Sequence, residues 1–138
     1  MKHEIVTSWQ DGMSFVNNID GFTNIVDASK EFGWNDRGPS PKKLILIVLV
    51  GCTGMDIVSL LQKMRESLSS LELKIEAEMT DEHTKVYSDI LIRYVFKASD
   101  NLDKAKVEKA VNMSQETYCG VAAMLKKAST LKFEILYE

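Results

Sequence analysis

The chain has 138 residues, 45% of them hydrophobic and 27% charged, with a formal net charge of −3. That balance excludes an intrinsically disordered chain, and the length is enough for one globular domain that buries about two thirds of the surface its unfolded form exposes. The mild acidity, with lysines spread along the chain rather than gathered in a run, gives no electrostatic footprint for nucleic acid.

The first seven residues, Met1-Lys2-His3-Glu4-Ile5-Val6-Thr7, carry no apolar stretch followed by a small-residue cleavage site, so a cytoplasmic location is expected. Two Asp-Gly pairs follow, Asp11-Gly12 and Asp20-Gly21, each flanked by short apolar-containing runs. Asp-Gly suits a type I′ turn, in which both central residues need positive φ, and the two turns predict a three-stranded meander. The polar, glycine-containing stretch 32–39 cannot continue a strand and predicts a loop.

Ser40-Pro41 fits an N-cap followed by proline at the first helical position. A long helix is expected from there. Residues 44–55 are almost wholly apolar, too short a run to span a bilayer, and predict a helix buried on every side. Ile57, Val58, Leu60, Leu61 and Met64 continue it as one amphipathic face. The β-branched Ile45, Ile47, Val48 and Val50 leave a strand as the alternative.

Leu71, Leu73, Ile75, Ala77 and Met79 then alternate with polar residues, and Ile90, Ile92, Tyr94 and Phe96 repeat the pattern after a polar loop. These predict an antiparallel hairpin with one wet face. Helices are expected over 100–113 and over 114–128, and a last strand over 131–137. The order β-β-β-α-β-β-α-α-β defines an α+β fold with antiparallel sheet, organised as a single domain over 1–138 with a meander and loop in 1–39 and the rest in 40–138.

Only two cysteines occur, Cys52 in Gly51-Cys52-Thr53-Gly54 and Cys119 in Tyr118-Cys119-Gly120. In a reducing compartment such a pair is more often catalytic or sensing than a permanent staple. Each taken singly reads equally as a small buried hydrophobe. No CxxC spacing is present, and His3 and His83 are remote from both cysteines in sequence, so neither a metal nor a cofactor is expected. A thiol reacts as its thiolate, and Cys52 lies too far along the helix for the dipole to help, which makes Arg37 in the preceding loop the nearest candidate cation. Asp56, one turn after Cys52, would disfavour a thiolate, and its expected task is pairing with a lysine or a backbone group.

The run Gly38-Pro39-Ser40-Pro41, then Gly51-Cys52-Thr53-Gly54-Met55-Asp56, then Leu61-Gln62-Lys63-Met64-Arg65, resembles the central helix of the OsmC/Ohr family of thiol-dependent hydroperoxide reductases. The segment from Ser114 through Tyr118-Cys119 to Leu125 resembles that family's second cysteine block. The resemblance implies an OsmC-like fold with antiparallel sheets around a long buried central helix, in an intertwined homodimer with active sites at the subunit interface. It implies Cys52 as the peroxidatic thiolate and Cys119 as the resolving thiol, an organic hydroperoxide as substrate and a cellular dithiol as reductant, without nucleic acid or membrane as partners. It also implies an arginine over the sulfur held by a glutamate about ten residues before the cysteine. Here Lys42 and Lys43 stand in that region, so Arg37 is expected to pair with Asp36 or Glu31. An OsmC-like dimer that binds an apolar small molecule without turnover is the alternative those lysines motivate.

Overall fold

Backbone positions that demand positive φ decide the first unit of the protein. In the computed structural model, which describes Met1–Glu138, strands β1 (Val6–Trp9), β2 (Phe15–Ile19) and β3 (Phe22–Val26) form an antiparallel sheet in that order. Gly12, at φ 52°, turns the chain between β1 and β2, and Asp20 and Gly21, at φ 50° and 84°, form the two-residue turn that brings Ile19 opposite Phe22. Both expected Asp-Gly turns are therefore present, with the left-handed φ that a type I′ turn requires at both of its central positions realised in the second.

Beyond β3 the chain is fixed by one buried acid. Asp27 accepts hydrogen bonds from the Ser14 hydroxyl at 2.7 Å, the Ala28 N–H at 2.7 Å and the Arg37 N–H at 3.2 Å. These donors, Ser14 foremost, hold its carboxyl below the usual carboxylate range. The same loop passes so close to β3 that a Cβ on Gly38 would collide with the Ile25 carbonyl, which leaves glycine as the residue that fits.

Helix α1 (Pro41–Lys63) starts at the expected proline and ends where Arg65 adopts φ 61°. It does not close on every side. Its buried stripe is Leu49, Thr53, Ile57 and Leu61, four residues apart and so on one face. Ile47, Val48 and Met55 are 54%, 51% and 76% exposed. With 23 residues and a mean hydropathy of 2.4 in its most apolar window, α1 is long and apolar enough to cross a membrane by length and composition alone, yet only 22% of that window is buried. The expectation of a helix buried all round is thus corrected, because the rest of the chain supplies neighbours for one stripe only.

The chain divides into two compact units, Met1–Ile47 and Val48–Glu138. In the second, β4 (Leu71–Met79) and β5 (Tyr87–Phe96) pair antiparallel, and β6 (Thr130–Tyr137) pairs with β5 in parallel. The α+β class holds, but this sheet is mixed, where antiparallel pairing alone was expected. A parallel neighbour needs a crossover, and residues 97–129 provide it with α2 (Lys104–Met113) and α3 (Gly120–Leu125). Strand β5 is central, so Ile90, Ile92, Tyr94 and Phe96 are fully or almost fully buried, while on the other face Arg93 binds Glu76 of β4 at 2.7 Å and Glu134 of β6 at 3.0 Å. The expected alternation in all three strands is realised.

Asp103 caps α2 by accepting from the N–H groups of Ala105 and Lys106 at 2.9 and 3.3 Å. The end of α1 is tied to that start, since Lys106 Nζ donates to Glu66 at 2.7 Å and the other Glu66 oxygen accepts from the Asp103 N–H at 3.0 Å. The second expected helix of this region is not continuous: 114–118 form a π-turn, and the chain breaks at Cys119 before α3 begins.

Asp27 makes the first unit acid-sensitive. Its folded pKa lies below the unfolded value, so its contribution is complete above about pH 4 and is lost as pH falls through the folded value. Both tryptophans, Trp9 and Trp34, lie in this unit. Tryptophan fluorescence should report its unfolding below about pH 4, and Asp27→Asn should flatten that pH dependence while lowering stability at neutral pH.

Candidate functional site

Helix α1 places Cys52 and Asp56 one turn apart, immediately beside the buried stripe, and both are half-buried. The neighbouring Thr53 is fully buried and polar, so its hydroxyl needs partners. It finds the Tyr94 hydroxyl of β5 at 2.7 Å and the Ser114 hydroxyl of the π-turn at 2.8 Å. Gln115 Nε2 donates to the Tyr94 oxygen at 2.7 Å, and Ser114 donates to Asp56 Oδ2 at 2.9 Å.

Proton counting gives this chain a direction. A carboxylate only accepts, so the single Ser114 proton goes to Asp56, Thr53 must donate to Ser114, and Tyr94 must donate to Thr53. Gln115 then supplies the proton that Tyr94 accepts. The polarity runs Gln115, Tyr94, Thr53, Ser114, Asp56, across α1, β5 and the π-turn. Burial raises the Tyr94 phenol above its ordinary value, against the opposing effect of its hydrogen bonds with Thr53 and Gln115, which keeps it a hydroxyl. Gln115 Oε1 is the one buried side-chain polar atom without a partner. The expected pairing of Asp56 with a lysine or backbone group is corrected: its hydrogen-bond donor is Ser114.

These bonds also shape the second cysteine segment. With Ser114 and Gln115 held inward, the backbone takes a π-turn in which the Cys119 N–H donates to the Ser114 carbonyl at 2.8 Å. Lys126 Nζ closes the turn from outside by donating to the Gln115 carbonyl at 2.6 Å. Cys119 leaves helical geometry at φ −76° and ψ 97° and caps α3, its sulfur accepting from the Ala122 N–H at 3.4 Å. An unbroken helix over 114–128 would have placed this sulfur elsewhere.

The result is a compact cluster: one ligating atom each of Cys52, Asp56 and Cys119 lies within 4.8 Å of the others. The two sulfurs thus meet although 67 positions separate them, and both are free thiols. They are not equivalent. Cys119 is 3% exposed and Cys52 is half-buried. Burial, reinforced by Cys52 and the Asp56 charge and opposed by the Ala122 N–H, pushes the Cys119 thiol up to about 11.

An open groove of about 470 Å³ runs along Gly51, Gly54, Met55 and Val58 of α1 to Leu71 and Leu73 of β4, and neither cysteine lines it. A smaller recess of about 150 Å³ is lined by Asp56, Ser59, Leu60, Lys63 and Tyr118. Arg37 belongs to the first unit, where its guanidinium takes both oxygens of Asp11, at 2.5 and 3.1 Å. Its acidic partner is therefore neither Asp36 nor Glu31, and this bidentate pair raises its pKa.

Residues 34–134 match the family model of the OsmC-like proteins. The chain is 33% identical over 121 residues to protein YhfA of Escherichia coli K12, covering 87% of both chains. Its fold is similar to the crystal structure of a hypothetical protein from Aquifex aeolicus, with a TM-score of 0.84 at 23% identity, covering 100% of this chain and 98% of that one. It is also similar to the organic hydroperoxide resistance protein OhrB of Bacillus subtilis, with a TM-score of 0.69 at 13% identity and 98% of each chain covered.

Two measurements probe this geometry. Tyr94→Phe leaves the Gln115 N–H and the Thr53 hydroxyl without their shared partner and should cost about 1–3 kcal/mol in urea unfolding. With its thiol pushed up to about 11 and its sulfur almost wholly enclosed, Cys119 should react with iodoacetamide well after the more exposed Cys52, as peptide mass spectrometry would show.

Proposed function

The chain belongs to the OsmC-like family, and we propose that it is a cysteine-based peroxidase that reduces organic hydroperoxides as part of an oxidative stress response. The observation that carries this reading is the meeting of the Cys52 and Cys119 sulfurs from opposite ends of the second unit, one half-buried and one almost wholly enclosed. The accessible sulfur is suited to meet a substrate and the enclosed one to attack only what its neighbour becomes.

The Cys52 thiolate attacks the distal oxygen of ROOH. The O–O bond breaks, Cys52 becomes a sulfenic acid, and the alkoxide takes a proton from solvent to leave as ROH. Cys119 sulfur then attacks the Cys52 sulfur, the S–O bond breaks, and hydroxide leaves with the Cys119 proton as water. A dithiol in the reducing cytoplasm returns the disulfide to two thiols and is itself oxidised. The apolar neighbours of Cys52 along α1, Leu49 and Met55 among them, support an alkyl or aryl R group over hydrogen peroxide.

The uncovered apolar side of α1, with Ile47, Val48 and Met55 all more than half exposed, supports a second copy of the chain as its cover, in a homodimer. Arg37 is proposed as the cation that favours the Cys52 thiolate, with Asp11 as its acidic partner in place of the family's glutamate. The groove also supports a second reading, an apolar-ligand carrier that uses the same fold without turnover.

Treatment of the reduced protein with one equivalent of cumene hydroperoxide should convert two thiols into one disulfide, read by intact mass and free-thiol assay. Cys52→Ser should abolish peroxide consumption. Cys119→Ser should allow one oxidation and stop at sulfenic or sulfinic acid, and Arg37→Ala should lower kcat/KM at least about ten-fold, the scale of one lost charge interaction. Retention of both thiols after peroxide treatment would establish the carrier instead.

A further inference from the structure

The cysteine pair has a third member that the peroxidase chemistry does not use. We propose that Cys52, Asp56 and Cys119 form a binding site for a thiophilic divalent cation, with Zn²⁺ the fitting ion, and that metal binding and peroxide oxidation exclude each other at these sulfurs.

The donor set is the first argument. Two thiolates and a carboxylate suit zinc, which takes sulfur at about 2.3 Å and oxygen at about 2.0–2.2 Å in tetrahedral geometry. Such donors sit about 3.4–3.8 Å apart around the ion, so three groups already within 4.8 Å of one another need draw in by only about 1 Å, within reach of side-chain rotation. Cys52 and Asp56 share a helix face at the i, i+4 spacing, and Cys119 approaches from the crossover, so the three arrive from two elements.

The surroundings are the second argument. Ligating carboxylates are typically hydrogen-bonded from behind, and Ser114 donates to Asp56 Oδ2 at 2.9 Å at the end of a buried, polarised chain. The Ala122 N–H points at the Cys119 sulfur from 3.4 Å, a donor that favours negative charge on that atom. Each of these partners leaves its ligand other lone pairs for a metal. A three-residue zinc site keeps a fourth position for water, and a recess of about 150 Å³ adjoins the Asp56 member of the set.

The exclusion follows from the electrons. A bound ion takes the sulfur lone pairs that would attack the peroxide, and the thiols release to buffer the protons they carry on binding. Oxidation removes two electrons from the pair, reduces ROOH to ROH and water, forms the disulfide and thereby deletes two of the three ligands. The ion is then released. Peroxide would thus liberate zinc, and zinc would shield the thiols.

Cobalt reports the site directly. Chelator-treated, reduced full-length protein titrated with Co²⁺ should bind one ion per chain with a near-ultraviolet thiolate-to-cobalt charge-transfer band and visible tetrahedral bands, both abolished by equimolar Zn²⁺. Zn²⁺ should also protect both cysteines from alkylation, and cumene hydroperoxide should release it to a chromophoric indicator. Cys52→Ser and Cys119→Ser should each weaken the charge-transfer band and the affinity, Asp56→Asn should weaken binding at least ten-fold, and Ser114→Ala about ten-fold, with circular dichroism checking that each variant is folded. Absence of the charge-transfer band in the wild type, or unchanged affinity in folded Asp56→Asn and Asp56→Ala, overturns the site. Peroxidase activity is read separately in chelator, so its failure leaves the metal site standing, and the failure of cobalt binding leaves the peroxidase standing.

Discussion

A buried hydroxyl on α1 sets the terms for the second unit. Thr53 sits at zero exposure among Leu49, Ile57 and Leu61, where an unpaired hydroxyl would be costly, so the neighbouring elements must bring it partners. Tyr94 reaches it from the central strand and Ser114 from the crossover. Three elements distant in sequence are thereby locked at a single oxygen. Because each hydroxyl has one proton, the chain from Gln115 to Asp56 permits only one polarity, which fixes the Ser114 rotamer and with it the carboxylate beside the two sulfurs.

The same bonds account for a backbone irregularity. Ser114 and Gln115 cannot satisfy the network and also continue the α2 ladder in register, and the extra residue of the π-turn absorbs the difference. The strain-free exit is the extended conformation at Cys119, which turns the sulfur inward and lets it cap α3. The parallel pairing of β6 with β5 matters here as well. It obliges residues 97–129 to cross from one end of the sheet to the other, and this crossover carries Ser114 to Thr53 and Cys119 to Cys52.

Local rules were legible where the chemistry is local. Asp20-Gly21 named its own turn, Pro41 its own helix start, and the alternation of Leu71, Leu73 and Ile75 with Glu72, Lys74 and Glu76 named a strand with one wet face, all as the structure has them. The flanks of Cys52 and Cys119 carry the resemblance to the OsmC-like family in sequence alone. What stayed hidden depended on partners remote in sequence. The break at Cys119 is dictated by Thr53 and Tyr94, the acid that holds Arg37 is Asp11, 26 residues away, and the direction of β6 depends on the crossover. The exposed side of α1 was misjudged for a different reason: continuous apolar sequence shows that a surface avoids water, not which molecule covers it.

Asp56 brings these threads to one point. The acid beside the two thiols contributes to the raised pKa of Cys119. For a pair that served redox chemistry alone, a neutral residue one turn after Cys52 would serve better. Its carboxylate nonetheless accepts from a polarised hydrogen-bond chain that begins in the core, and a buried polar network of this kind is costly unless every link is made. Two thiolates and a carboxylate would repel one another, and a cation between them turns that repulsion into attraction. A shared cation therefore gives the carboxylate and the two sulfurs a common physical reason to be neighbours, and the oxidised state, with a neutral disulfide beside one carboxylate, removes that reason together with the ligands.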